Sequence, residues 1–114
     1  MIKLKRAYEK AEPGDGPRYL VDRLWPRGIG KNSLHIEDWL KDVAPSNELR
    51  RWFGHDPSKW NEFRKKYFAE LKAKPDALAP LAKAAKKRSI TLVYSAKDAE
   101  YNNAVALAEF LKKA

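Results

Sequence analysis

Apolar and polar positions alternate loosely at the start of the chain. Ile2, Leu4, Ala7 and Tyr8 are interleaved with Lys3, Lys5 and Arg6. This is the pattern of a strand at a sheet edge, where lysines discourage further pairing. A polar stretch rich in Pro and Gly (9–18) predicts a loop. "YLVDRLW" (19–25) reads as a second strand with apolar residues on both faces, ended by Pro26, which cannot donate to a ladder. "SITLVYS" (89–95) is an apolar, β-branched run and the clearest strand. Between them the period changes. Ile36, Trp39, Leu40 and Val43 are spaced as one face of a short helix. Leu49, Trp52 and Phe53 mark a second helix, with Ser46 as cap and Gly54 as stop. Trp60, Phe63, Tyr67 and Leu71 mark a third, opened by Asp56–Pro57. Leu78, Leu81, Ala82 and Ala85 mark a fourth, with Pro80 in or before its first turn. A last helix, capped by Asp98, buries Ala104, Leu107, Ala108 and Leu111.

The order of elements predicts an α/β fold: a small sheet of about three strands flanked by helices, in one domain spanning 1–114. The long helical connection makes strands two and three a parallel pair with a right-handed crossover. The link between strands one and two is too short to fix the direction of strand one.

Composition narrows the partners. The chain has no cysteine, which removes disulfides and thiol chemistry, and its two histidines, His35 and His55, are not at metal-ligand spacing. The expectation is no metal and no cofactor. No signal peptide or membrane span is visible, so a cytoplasmic protein without membrane attachment is expected. The formal charge of +9 and pI of about 9.8 favour anionic partners. The cations are dispersed, so nucleic-acid contact should be weak and non-specific.

Candidate chemistry concentrates in "VDRLWPRGIGK" (21–31). Arg23, Arg27 and Lys31 stand four residues apart among Trp25, Pro26, Gly28 and Gly30. Ligands of parallel sheets sit beyond the carboxyl ends of the strands. There this loop meets "SAKDAEYNN" (95–103), which opens the last helix and its free N–H groups. The expected site is anion-binding, for a phosphorylated small molecule or nucleotide. Arg23 and Arg27 would clamp the anion, with Lys31, Ser95, Asn102 and Asn103 adding contacts and Asp22, Trp25, Tyr94 and His55 supporting. These residues fit ligand binding with or without catalysis. Two other readings stand beside it. One is a nucleic-acid-binding module using dispersed cations and exposed aromatics. The other is a structural or protein-interaction domain. In "RRWFGHDPSKW" (50–60), His55 beside Asp56 suggests a base and its orienter, whereas Asp56 as a helix cap and the aromatics as core form the structural alternative.

"LVDRLWPRGI", "WLKDVAPS", "RRWFGHDP" and "ITLVYSAKD" with the following "EYNNAVAL" resemble the YeaO-like family of uncharacterised bacterial proteins. That family is a branch of the domain-of-unknown-function 488 group. The resemblance runs from about residue 2 to 112 and implies a small cytoplasmic α/β protein with no assigned activity. In the wider group a cysteine often stands in the last strand, and a Cys-His-Arg-like element often opens the last helix. This chain departs from that pattern, with Tyr94 in the strand and Tyr101, Asn102 and Asn103 at the helix.

Overall fold

The computed structural model describes residues 1–113. Four parallel strands form one sheet in the order β1-β4-β2-β3: β1 Ile2–Arg6, β2 Arg18–Leu20, β3 Asp38–Trp39 and β4 Ile90–Tyr94. The α/β class, the edge position of β1 and the parallel β2–β4 pair agree with the sequence reading. Strand one is parallel to its neighbour, with Ile2 beside Ile90 and Arg6 beside Tyr94.

Two expectations about the sheet are corrected. The second strand does not reach Trp25. Its last ladder bond is from the Val21 N–H to Val93 O at 3.1 Å. Both neighbours have run out there: β4 ends at Tyr94, and Leu40 makes the last bond on the other side, to Leu20 O. Without ladder partners the chain turns away, and Leu24 is left 61% exposed rather than anchored in a covered sheet. The helix expected at Ile36–Val43 is instead the short strand β3 followed by a 3-10 turn, Lys41–Val43. Here the open edge of β2 outweighs local periodicity. The Glu37 N–H bonds to Arg18 O and the Leu40 N–H to Leu20 O, so carbonyls otherwise left bare are satisfied.

Four helices follow: α1 Asn47–Phe53, α2 Trp60–Lys72, α3 Pro75–Lys87 and α4 Asn103–Lys113. The Ser46 hydroxyl caps α1 by accepting from the Leu49 N–H, and Gly54 ends it in the left-handed region. Pro75, not Pro80, takes the first position of α3, and Pro80 lies inside the helix. Asp98 does not cap α4. Its carboxylate accepts the N–H groups of Glu100 and Tyr101 in a turn before the helix. The cap is Asn102, whose side-chain oxygen takes the Val105 N–H at 3.0 Å.

The two faces of the sheet are covered differently. Tyr19, Val21, Ile90, Leu92 and Tyr94 pack under the helices, against Phe53, Phe63, Tyr67, Leu71, Leu81 and Leu107 among others. Leu20 and Val93 face the opposite way and are covered by the loop residues Ala7, Leu34, Trp25, Ile29 and Ile36 and by Trp39 of the short edge strand. Beneath that loop lies a buried ionic cluster. Asp15, 5% exposed, accepts from Arg18 Nη1 at 2.6 Å and from Lys5 Nζ at 3.1 Å. Gly16 turns the chain out of this cluster into β2 at φ +64, and a Cβ there would lie 2.4 Å from Ser89 O. Among the described residues no helix is long and apolar enough to cross a membrane.

Candidate functional site

A cleft of about 670 Å³ opens at the carboxyl ends of β2 and β4. Its walls come from the loop after β2, the loop after β4, the first turn of α4 and the α1 hairpin. This is where the two loops singled out in the sequence were expected to meet.

Asp22 joins them. Its Oδ2 accepts from the Ser95 N–H at 2.9 Å and the Ser95 hydroxyl at 2.8 Å, and its Oδ1 accepts from Asn103 Nδ2 at 3.1 Å. Asn103 also donates to Val21 O. One carboxylate therefore locks the end of β2, the end of β4 and the start of α4 together. Asp22, considered only a supporting residue in the sequence, is the structural centre of the site.

Arg23 is fixed from the other side. Its Nε donates to Pro45 O at 3.2 Å and its Nη2 to Ala44 O at 3.3 Å. Those carbonyls are themselves positioned by α2. The Tyr67 hydroxyl donates to Val43 O, and the Glu70 carboxylate accepts from the Ser46 N–H and hydroxyl. Burial pushes the Tyr67 phenol far above its ordinary range, so it stays a donor. Arg6, at the end of β1, ties the opposite wall in the same manner, through Ala96 O at 2.8 Å and Ser95 O at 3.1 Å. Nothing in the sequence pattern singled out that role.

Arg27 behaves differently. It is exposed on the loop, whose turn passes through Gly28 at φ +83 with open space around it. Gly30 keeps an ordinary φ. The loop is held by the Trp25 indole N–H to Ile29 O at 2.7 Å and by the Tyr8 hydroxyl to Arg27 O at 2.9 Å. The Arg27 side chain lines the cleft, as do Arg50 of α1 and Lys97 of the loop after β4. Neither Arg50 nor Lys97 was singled out in the sequence, because each lies on an element whose approach to the site depends on the fold. Among the described residues no ion pair involves Arg23, Arg27, Arg50 or Lys97.

The cleft thus gathers Arg23, Arg27, Ser95, Asn102 and Asn103 with Asp22, Trp25 and His55. Lys31 and Tyr94 are not among its lining residues. Lys31 is exposed, and Tyr94 is buried beneath the floor. Burial raises the Tyr94 phenol above its ordinary value. His55 sits at φ +58, a conformation rare for residues with a Cβ. It is not oriented by Asp56, whose carboxylate caps the following turn through the Ser58 N–H at 3.0 Å and hydroxyl at 2.8 Å. Asp98 is held below the usual carboxylate range by the Tyr101 and Glu100 N–H groups, with a smaller contribution from the His55 charge. The proposed base–orienter pair is replaced by a turn cap and a separate histidine at the cleft wall.

The aromatics of 50–60 are packed rather than displayed. Trp60 lies 5.6 Å from Phe63 and 5.4 Å from Tyr101, ring centre to ring centre. Trp52 is half-buried with Lys66 Nζ 4.1 Å from its ring centre and Lys59 Nζ at 5.1 Å.

A family model described as "Inactive DUF488-N3 subclade" matches residues 1–114. The uncharacterised protein YeaO of Escherichia coli strain K12 is 46% identical over 111 residues, which covers 97% of this chain and 96% of that protein. The uncharacterised proteins Mb3100c of Mycobacterium bovis and Rv3073c of Mycobacterium tuberculosis H37Rv are each 41% identical over 110 residues, covering 96% of this chain and 92% of theirs. No solved structure gives a significant match.

Proposed function

The chain belongs to the inactive DUF488-N3 subclade, and within that family we propose that its cleft binds a small anionic ligand of the phosphate or nucleotide kind without turning it over. One observation carries the reading. Four cations line the cleft, Arg23, Arg27, Arg50 and Lys97, against two carboxylates, Asp22 and Asp98. Both carboxylates accept hydrogen bonds from the walls: Asp22 from Ser95 and Asn103, Asp98 from the backbone before α4. Neither forms an ion pair with the cleft cations. Guanidinium and ammonium groups gathered in a concave, partly apolar site attract a counter-charge more strongly than the same groups on a flat surface.

The proposed binding groups are drawn more narrowly than in the sequence reading. Ser95, Asn102 and Asn103 donate to protein partners, so they shape the cleft. Arg27, Arg50 and Lys97 are the groups positioned to meet an anion. Binding without catalysis agrees with the family's description and with the chain's lack of cysteine.

A thermal-shift screen of the full chain against phosphorylated metabolites tests this. A ligand at 100 times its dissociation constant adds about 2.7 kcal/mol of stability. Arg27→Ala is expected to weaken that ligand at least about tenfold, corresponding to a lost charge-assisted contact. A parent protein that no anion stabilises would end the proposal.

A further inference from the structure

The free groups of the cleft are unevenly distributed by chemistry. The serine, asparagine, tryptophan and tyrosine donors of the cleft already serve the protein. The Ser95 hydroxyl donates to Asp22, Asn103 Nδ2 to Val21 O and Asp22, and Asn102 Nδ2 to Asp98 O. The Trp25 indole and the Tyr8 hydroxyl both donate to carbonyls of the loop after β2, Ile29 O and Arg27 O. Apart from the His55 ring, which makes no hydrogen bond among the described residues, what the walls otherwise present is apolar: Leu24, Pro45, Phe53, Phe63 and Ala96. Phe53 and Phe63 are stacked 4.3 Å apart and belong to the core, so this wall is rigid, whereas Leu24 at the loop is 61% exposed.

A ribose and a base edge placed against such walls would give up hydrogen bonds to water and find few neutral partners in return. An apolar body would gain by leaving water there. The three cations, Arg27, Arg50 and Lys97, call for more than one unit of negative charge, and a phosphate monoester carries about −1.5 to −2 near neutrality. We infer that the cleft is selective for a phosphate monoester with a compact apolar body, and discriminates against nucleotides. The inference rests on the anion-site reading and narrows it to a ligand class.

The test is a titration of the full chain with four probes, followed by chemical shifts or thermal stability: phenyl phosphate, inorganic phosphate, AMP and phenol. Phenyl phosphate is expected to bind at least about tenfold more tightly than inorganic phosphate or AMP. Leu24→Ser, at an exposed position, should weaken phenyl phosphate about threefold and leave inorganic phosphate unchanged. AMP or inorganic phosphate binding as tightly as phenyl phosphate would overturn the selectivity while leaving an anion site in place. Phenol binding as tightly as phenyl phosphate, or no binding by any probe, would overturn the anion site itself and the selectivity with it.

Discussion

Two sets of cations sit at opposite levels of commitment to the fold. Lys5 and Arg18 are enclosed under the loop-covered face and paired with Asp15, while Lys5 also reaches Glu12 at 2.8 Å. Arg27, Arg50 and Lys97 line the cleft and form no ion pair among the described residues. Arg6 and Arg23 stand between the two sets, with guanidinium groups on backbone carbonyls. The comparison shows that formal charge says little about partners until the internally satisfied cations are subtracted. The paired set holds the irregular layer of the sheet in place. The unpaired set is the one that the proposed anion would meet.

The largest effect should come from breaking the paired set. Asp15→Asn leaves the buried Arg18 without its carboxylate, and a loss of about 3–5 kcal/mol is expected in urea unfolding. A loss under about 1 kcal/mol would show that this cluster is no more structural than the cleft. The same carboxylate gives a pH signature. Burial pushes Asp15 up, but the Glu12 N–H and the Lys5 and Arg18 contacts outweigh it and hold its pKa below the ordinary value of 3.8. A depressed folded pKa contributes stability above the unfolded pKa and loses it as pH falls through the folded one. Stability should therefore decline on acidification below about pH 4, more steeply in the parent than in Asp15→Asn. Lys5 has the opposite sign. Its pKa is raised, led by the hydrogen bond to Glu12, so its contribution is full below 10.5 and fades at higher pH.

Arg23→Ala should fall in the middle. It frees two carbonyls at a half-buried position, for an expected loss of about 1–3 kcal/mol. The smallest effect on stability is expected from Arg27→Ala, within about 0.5 kcal/mol, because the side chain is exposed and makes no contact that the fold relies on. Anion affinity should rank the last two variants the other way. If Arg27→Ala unfolds as readily as Arg23→Ala, the division between structural and available cations does not hold.

The sequence reveals those parts of the molecule whose determinants are local. The apolar run at Ile90–Tyr94 announces the central strand, and the spacing of Phe63, Tyr67 and Leu71 announces α2, because each pattern matches the geometry that buries it. The residue motifs likewise marked the family correctly. The differences arise where a partner other than the expected one decides, in the sheet a distant one. Ile36, Trp39, Leu40 and Val43 have helical spacing, but the vacant edge of β2 recruits them as a strand and a turn. Leu24 extends an apolar run, yet no neighbouring strand persists to pair with it. Asp98 is a good cap by type, but Asn102 stands four residues nearer the helix and takes the role. At the site, the loop 21–31 was recognisable from its cations and glycines. Arg50 and Lys97 were not, since only the completed fold brings α1 and the loop after β4 beside it.

The strand order carries a consequence for how the molecule is assembled in time. β1 has β4 as its sheet neighbour, and their aligned residues, from Ile2 with Ile90 to Arg6 with Tyr94, lie 88 positions apart. During synthesis the first strand leaves the ribosome long before its partner exists. The sheet is completed only when β4 inserts between β1 and β2, which are already present. Pairings of such high sequence separation slow folding and prolong the interval in which strand edges are bare. The lysines and arginine interleaved along Ile2–Arg6 then have a second use. They keep a waiting strand soluble until the one that belongs beside it arrives.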